Sequence, residues 1–293
     1  MTEAIANAGA MRDAPRAPRS LIVTGERHQA DFWAKRLSQT FSDPQKTIFE
    51  TDNKGNFLGT LRAYHEHVTK SRAAPSTSAA IEQIVMLVGA GTRLSPFTQA
   101  LGNMKSALPL PVSDYGRSGR NIGELAIQAS LPIIECLRNG GFDGVVIRWG
   151  DEVQVPGNRL TSVASQFKDV DAVRFGWKTS PTDALATQKE WIIANDQGIV
   201  QRDLIRQPRE RLIERLAEMG HQESLSAYVN LGSLAASHHL LEIASHVFQR
   251  DVENPEQSVN WDPAFWVAVQ CADVAEWRAL IEEEAARGQS SLQ

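Results

Sequence analysis

The sequence predicts an α/β fold with a mixed, mostly parallel sheet, on three observations. Short apolar runs alternate with segments of helical spacing through the first 150 residues. A glycine-rich loop directly follows one of those runs, and three strand-like runs crowd residues 171–207 with a turn sequence between the last two. Alternation of this kind is what parallel strands with helical crossovers require, and closely spaced runs joined by a short turn pair antiparallel.

Taken in order, SLIVTG (Ser20 to Gly25) reads as a buried strand, and ERHQADFWAKRLSQTF places Ala30, Trp33, Ala34 and Leu37 on one helical face. KTIFETD is a second short strand. After NKGN, a helix from about Phe57 to Val68 carries Leu58, Leu61 and Tyr64 on one side. Thr69 to Ala80, TKSRAAPSTSAA, is small, polar and broken by proline, which marks a linker. IEQIVMLV is the next strand, and a helix from about Gly123 to Asn139 and the strand GVVIRWGDE restore the alternation. DAVRFGW, KEWIIAND and GIVQRDLIRQ read as strands, the last two joined by NDQG. Helices are expected at PRERLIERLAEM and SLAASHHLLEIASHVFQ, and an amphipathic helix with a polar tail ends the sequence. Residues 1–19 are accordingly read as a disordered leader, and 20–280 as one domain made of a βαβα segment (20–68), a linker (69–80) and a core (81–280), with 281–293 a polar tail.

At 293 residues and 42% hydrophobic, the chain can bury a substantial core. Its 30 Lys+Arg against 35 Asp+Glu give a net charge of -5, which excludes a broad nucleic-acid-binding surface but allows a local cationic pocket. Two cysteines, Cys136 and Cys271, exclude a disulfide framework and a Cys-rich zinc site, and a reducing cytoplasmic location is expected. No apolar run is long enough to span a bilayer, so neither membrane nor nucleic acid is expected as a partner. His238, His239 and His246 lack a companion ligand at metal-binding spacing and read as solvated or core residues.

The chemistry concentrates in VMLVGAGTRLSPFTQALGNMKSALPLP, Val85 to Pro111. Gly89, Ala90 and Gly91 let backbone N–H groups approach an anion, and a loop leaving a parallel strand lies at the ligand-binding edge of such a sheet. Two common phosphate loops fail on spacing: there is no G-x-x-x-x-G-K-[ST], and Leu94 stands where the dinucleotide fingerprint needs a third small residue. A bare G-x-G is equally a tight turn, so the neighbours decide.

Those neighbours are Thr92, Arg93, Leu94, Pro96, Thr98 and Lys105, and GAGTRLSPFT followed by lysine resembles the signature of the sugar-phosphate nucleotidyltransferases. The lysine lies two residues later than in that pattern, and Met104 replaces the proline before it. Over about residues 20–270 the resemblance implies a GT-A-like, Rossmann-like three-layer sandwich. The implied reaction is that of a nucleoside triphosphate with a sugar 1-phosphate, giving a nucleotide-sugar and pyrophosphate with Mg2+ as cofactor. It implies further that Gly89, Ala90, Gly91 and Thr92 bind the nucleotide, that Arg93 and Lys105 are catalytic cations, and that Asp151 in WGDE and Asp262 in NWDPAF hold magnesium. Asp151 is equally a turn residue or helix cap, and Asp262 before Pro263 a helix cap. Asn230 and Gly232 of YVNLGS resemble the residues that face the sugar, or else make only a turn. Where the family has E-K-P this chain has IRQP, so Arg206 is left to meet a phosphate and Glu190 to supply the missing acid.

Residues 20–68 resemble a part of the family that normally follows the glycine loop, which implies a segment-permuted order with Gly59 and Thr60 near the base; an unrelated appendage is the alternative. Two other activities stay open. One is another nucleotide-using GT-A transferase, either a glycosyltransferase or a cofactor nucleotidyltransferase, with Asp169 to Asp171 the only D-x-D. The other is a non-catalytic nucleotide-binding regulatory subunit. A homo-oligomer is compatible with each.

Overall fold

The computed structural model describes residues 16–43, 45–50, 55–68, 80–88, 97–102, 104–110, 120–204, 208–219, 225–259, 271 and 273–279. In chain order they form β1 (Ser20–Thr24), α1 (Arg27–Thr40), β2 (Lys46–Phe49), α2 (Gly55–Ala63) running into a π-helical turn (Tyr64–Val68), β3 (Gln83–Leu87) and a short α3 (Phe97–Ala100). A 3-10 turn (Lys105–Ala107), α4 (Ile122–Ala129), α5 (Leu131–Asn139), β4 (Gly144–Trp149), β5 (Ala172–Lys178), α6 (Asp183–Gln188), β6 (Trp191–Asn195) and β7 (Val200–Leu204) come next. The remainder is α7 (Arg209–Met219), β8 (Leu225–Ser237), α8 (His238–Val247) and α9 (Gln249–Glu253). The chain packs as two compact units, Met1–Val173 with Ser233–Ser258 and Arg174–Gly232 with Val259–Gln293.

The first unit is α/β with the mixed, mostly parallel sheet the sequence predicts. Its strands run β2-β1-β3-β4 in parallel, and the Ser233–Ser237 end of β8 lies antiparallel to β4. Leu21 stands opposite both Lys46 and Ile84, and Met86 opposite Trp149. Every residue of β1 and β3 is buried, which is why both read as nearly continuous apolar runs. Ile22, Val85 and Leu87 pack with Trp33 and Leu37 of α1 and Ile127 of α4 in one cluster, and Ala17, ahead of β1, joins it. The approach of α4 depends on Gly123, where an added Cβ would strike the Trp33 indole at 2.5 Å.

Two sequence expectations need correction here. The helix expected from Gly123 to Asn139 is two helices that part at Ser130, because Pro132, in the first turn of α5, has no N–H to continue the ladder. The segment Ser233–Ser237, expected to be helical, is strand. Its Ala235 and Ala236 stand opposite Val146 and Val145, and small residues suit a pairing in which a Cβ at Gly144 would strike backbone. The helix begins only after Ser237, whose hydroxyl accepts the Leu240 N–H at 3.0 Å.

In the second unit β6 pairs antiparallel with β7 and with Leu225–Val229 of β8. The NDQG turn forms as expected: Gly198 takes a positive φ of 76°, and the Asn195 side chain accepts the N–H groups of Gln197 and Ile199. Trp191, Ile193, Leu204, Leu212 and Val229 form the core, so Trp191 is a packing residue. Helix α6, absent from the sequence expectation, is capped by Thr182. No described helix is long and apolar enough to cross a membrane.

Candidate functional site

Gly89, Ala90, Gly91, Thr92, Arg93, Arg206 and Asp262 lie outside the described residues. What is described is the end of the strand that precedes the glycine-rich stretch in sequence. β3 ends at Leu87 beside the end of β4, and the Gly150 N–H donates to the Met86 carbonyl at 3.0 Å, carrying the parallel pairing one residue beyond β4.

At that carboxyl edge two of the sequence-predicted residues meet. The Lys105 ammonium donates to the Asp151 carboxylate across 46 residues of chain. The pair is open to solvent, with Lys105 41% and Asp151 32% exposed at the side chain, so its contribution to stability is small. Its position is set by buried neighbours. Ser106 and Ala107 of the 3-10 turn are buried, Ala107 within the cluster beneath Leu87, with Met104 packed against it. Gly150 permits the close approach: an added Cβ would run into the Leu87 side chain and come within 3.2 Å of the Ser106 hydroxyl. The glycine before Asp151 is therefore required by packing, a role the sequence reading did not assign to it.

The second missed residue is Arg148. It sits on β4 opposite Val85 with 0% exposure, and its guanidinium donates to Gln154 Oε1 at 2.6 Å and to the Glu152 carbonyl at 3.0 Å. Its Nε has no hydrogen-bond partner among the described residues. Burial pushes Arg148 down to about 10, against the opposing pull of the Glu152 carboxylate, and the group stays a cation at neutral pH. Glu152 in turn accepts the Ser233 hydroxyl at 3.2 Å. A charged residue inside GVVIRWG carries no periodicity signal of burial, and only its place in an otherwise apolar strand could have flagged it.

The remaining predicted residues belong to other elements. Gly59 and Thr60 are buried within α2; the Thr60 hydroxyl donates to the Asn56 carbonyl at 2.6 Å, and Gly59 lies against Glu50 and Met86. Asn230, Gly232 and Glu190 belong to the second unit and form one network. Asn230 Nδ2 donates to Glu190 Oε2 at 3.0 Å, the Asn230 N–H donates to the Glu190 carbonyl at 2.8 Å, and the Gly232 N–H donates to Asn230 Oδ1 at 3.0 Å with Gly232 at a positive φ of 77°. His238 is buried, with the Tyr64 hydroxyl 3.1 Å from its Nδ1, as expected of a core histidine.

A cavity of about 300 Å³ in the first unit is lined by residues that include Leu61, Tyr64, His65, Glu242 and His246, and no predicted site residue lines it. Among the described residues no three His, Cys, Asp or Glu side chains gather as a metal site. Asp151 is thus a single exposed carboxylate at a strand end, a hard oxygen donor of the kind that holds Mg2+ together with substrate phosphates. No protein-family model, curated protein or solved structure matches the chain.

Proposed function

We propose that this chain is a nucleotidyltransferase that joins a nucleoside triphosphate to a sugar 1-phosphate. The observation that carries the reading is the meeting of Lys105 with Asp151 at the carboxyl edge of β3 and β4, the strand end that the GAGTRLSPFT stretch follows in sequence. Ligands of open α/β sheets bind at such an edge.

In this reading the sugar-phosphate oxygen attacks the α-phosphorus, the bond to the bridging oxygen of the β-phosphate breaks, and pyrophosphate leaves with that electron pair. Holding two polyanions in line is mainly a problem of charge, and the loop Gly89 to Thr92 meets the phosphates while Arg93 and Lys105 neutralise them. Asp151 and Asp262 are the carboxylates that would hold a magnesium ion, and Lys105 would then be free to turn to the phosphates. Magnesium, when bound, supplies Lewis-acid stabilisation of the phosphoryl oxygens. Asn230 and Gly232 face the acceptor, with Glu190 and Arg206 in place of the E-K-P segment.

Two features of the sheet support the segment-permuted, GT-A-like form of the reading. β1 and β2 extend the same parallel sheet beside β3, as a permuted order requires. Helical residues also meet the Met86 side of β3 as well as the Val85 side, as a three-layer arrangement needs. Against the glycosyltransferase reading, Asp171 of its D-x-D accepts the Ser237 hydroxyl at 3.0 Å through its side chain and the Ser237 N–H through its carbonyl, a structural tie between β5 and β8.

Pyrophosphate release measured with magnesium, across the nucleoside triphosphates crossed with sugar 1-phosphates, tests the proposal. Release in one combination that Asp151→Ala lowers by at least about a hundredfold, the scale of losing one electrostatic stabiliser, is the expected result. Nucleotide binding without release in any combination would replace the enzyme with the regulatory subunit.

A further inference from the structure

We infer that Arg148 is a positioning residue that fixes the Asp151 carboxylate opposite Lys105 by clasping the strap that follows β4; the catalytic value of this rests on the proposed nucleotidyl transfer. The strap, residues 151–157, alternates. Glu152, Gln154 and Pro156 are half-buried, whereas Asp151, Val153, Val155 and Gly157 are exposed. Over 152–155 this inverts the usual order, since Glu152 and Gln154 point in and Val153 and Val155 point out.

Arg148 explains the inversion. Its two terminal nitrogens hold the Glu152 carbonyl and the Gln154 side chain, and Ser233 holds the Glu152 carboxylate from β8. With the even-numbered residues anchored inward, Asp151 must face outward, where Lys105 reaches it. Asp151 lies in the turn that the Glu152 N–H closes on the Trp149 carbonyl at 3.2 Å, and the clasp holds the far side of that turn, so it sets which carboxylate, Asp151 or Glu152, is presented at the sheet edge.

The energetics point the same way. A fully buried guanidinium whose Nε finds no acceptor among the described residues is a poor way to fill a core, and an apolar residue of similar volume often serves stability as well or better. What Met at this position could not supply is the pair of hydrogen bonds to the strap. Lys could supply only one direction of the fork.

The test reads Lys105 itself. Purified full-length protein is reductively methylated with formaldehyde and borohydride, and the labelling rate of each lysine is followed by mass spectrometry, with Asp151→Asn marking the rate of an unpaired Lys105. That variant should raise the Lys105 rate about two- to fivefold, the scale set by one exposed ion pair. Arg148→Met should reach a similar rate, Arg148→Lys an intermediate one, and Lys35 and Lys168 should not change. An Arg148→Met protein with the wild-type urea midpoint and the wild-type Lys105 rate overturns the inference.

Should Arg148→Met fail to fold, Gln154→Ala removes one arm of the clasp while the buried guanidinium keeps the Glu152 carbonyl as its other acceptor. A partial rise in its Lys105 rate supports the clasp, and an unchanged rate refutes it. Turnover separates the two proposals. If wild-type protein releases pyrophosphate, Arg148→Met should lower kcat by more than it raises the nucleotide KM. If it releases none, the reaction is wrong while the lysine rates still decide the role of Arg148.

Discussion

Single residues in the first unit carry loads that their exposure alone does not reveal. Glu124 is 0% exposed, and its carboxylate accepts Arg36 Nε at 2.6 Å, Arg36 Nη2 at 3.1 Å, the Thr40 hydroxyl at 2.5 Å and the Asn121 N–H at 2.9 Å. Asn121 Oδ1 accepts the Glu124 N–H in return, so one side chain completes a capping box and ties α4 to α1. Glu124→Ala removes one partner of a buried pair and should cost about 3 kcal/mol in urea unfolding, whereas Glu124→Gln, which keeps an acceptor oxygen, should cost less than half of that. Gly150 offers a sharper contrast. Gly150→Ala must displace Leu87 and should cost about 1–3 kcal/mol as overpacking, while Gly157→Ala, with nothing within 4 Å of its added Cβ, should stay within about 0.5 kcal/mol. The two urea midpoints, measured side by side, check both values.

Between elements, Glu82 joins the approach to β1, the approach to β3 and the end of α5. It accepts the Arg19 N–H at 2.9 Å, sits 3.4 Å from the Arg19 guanidinium and pairs with Arg138. Burial pushes its carboxyl up, but the Arg138 hydrogen bond, the Arg19 N–H and the two positive charges together hold it below the usual 4.5. A carboxyl depressed in the folded state stabilises it at pH values above the unfolded value and loses that contribution as the pH falls through the folded one. The stability difference between wild type and Glu82→Gln should therefore be constant from pH 7 down to about 5 and shrink below about 4.5. A difference that held steady to pH 3 would place the stabilisation outside the ionised carboxylate.

Elements were readable in the sequence where one signal dominated. Apolar runs marked β1, β3 and β4, and NDQG marked the hairpin of the second unit. They were misread where composition was neutral: SLAAS suits a helix or a buried strand, and only pairing with Gly144–Ile147 decides for the strand. The candidate site divides the same way. Lys105 and Asp151, singled out by resemblance to a motif, do meet as an ion pair. Arg148 and Gly150 were not legible, because their roles exist only when β3, β4 and the strap lie side by side.

For the whole molecule, the residues proposed for the nucleotide and those proposed for the acceptor belong to different units. Lys105, Asp151 and the glycine-rich stretch belong to the first unit, whereas Glu190, Asn230 and Gly232 belong to the second. Nucleotide and acceptor should then leave separate footprints in amide hydrogen exchange, which reports local opening free energies region by region. Nucleoside triphosphate with magnesium should slow exchange in residues 85–88 and 144–152, and a sugar 1-phosphate added on top should slow 225–232. At a ligand concentration a hundredfold above its dissociation constant the stabilisation is about 2.7 kcal/mol, a slowing of about a hundredfold for amides that exchange through opening of the liganded region. Amides of β8 are the informative set, because the strand runs through both units and changes unit between Gly232 and Ser233. Nucleotide alone should leave its first half at the unliganded rate. Slowing confined to 225–232 with nucleotide alone would move the nucleotide away from the Lys105–Asp151 edge and remove the geometric basis for nucleotidyl transfer there.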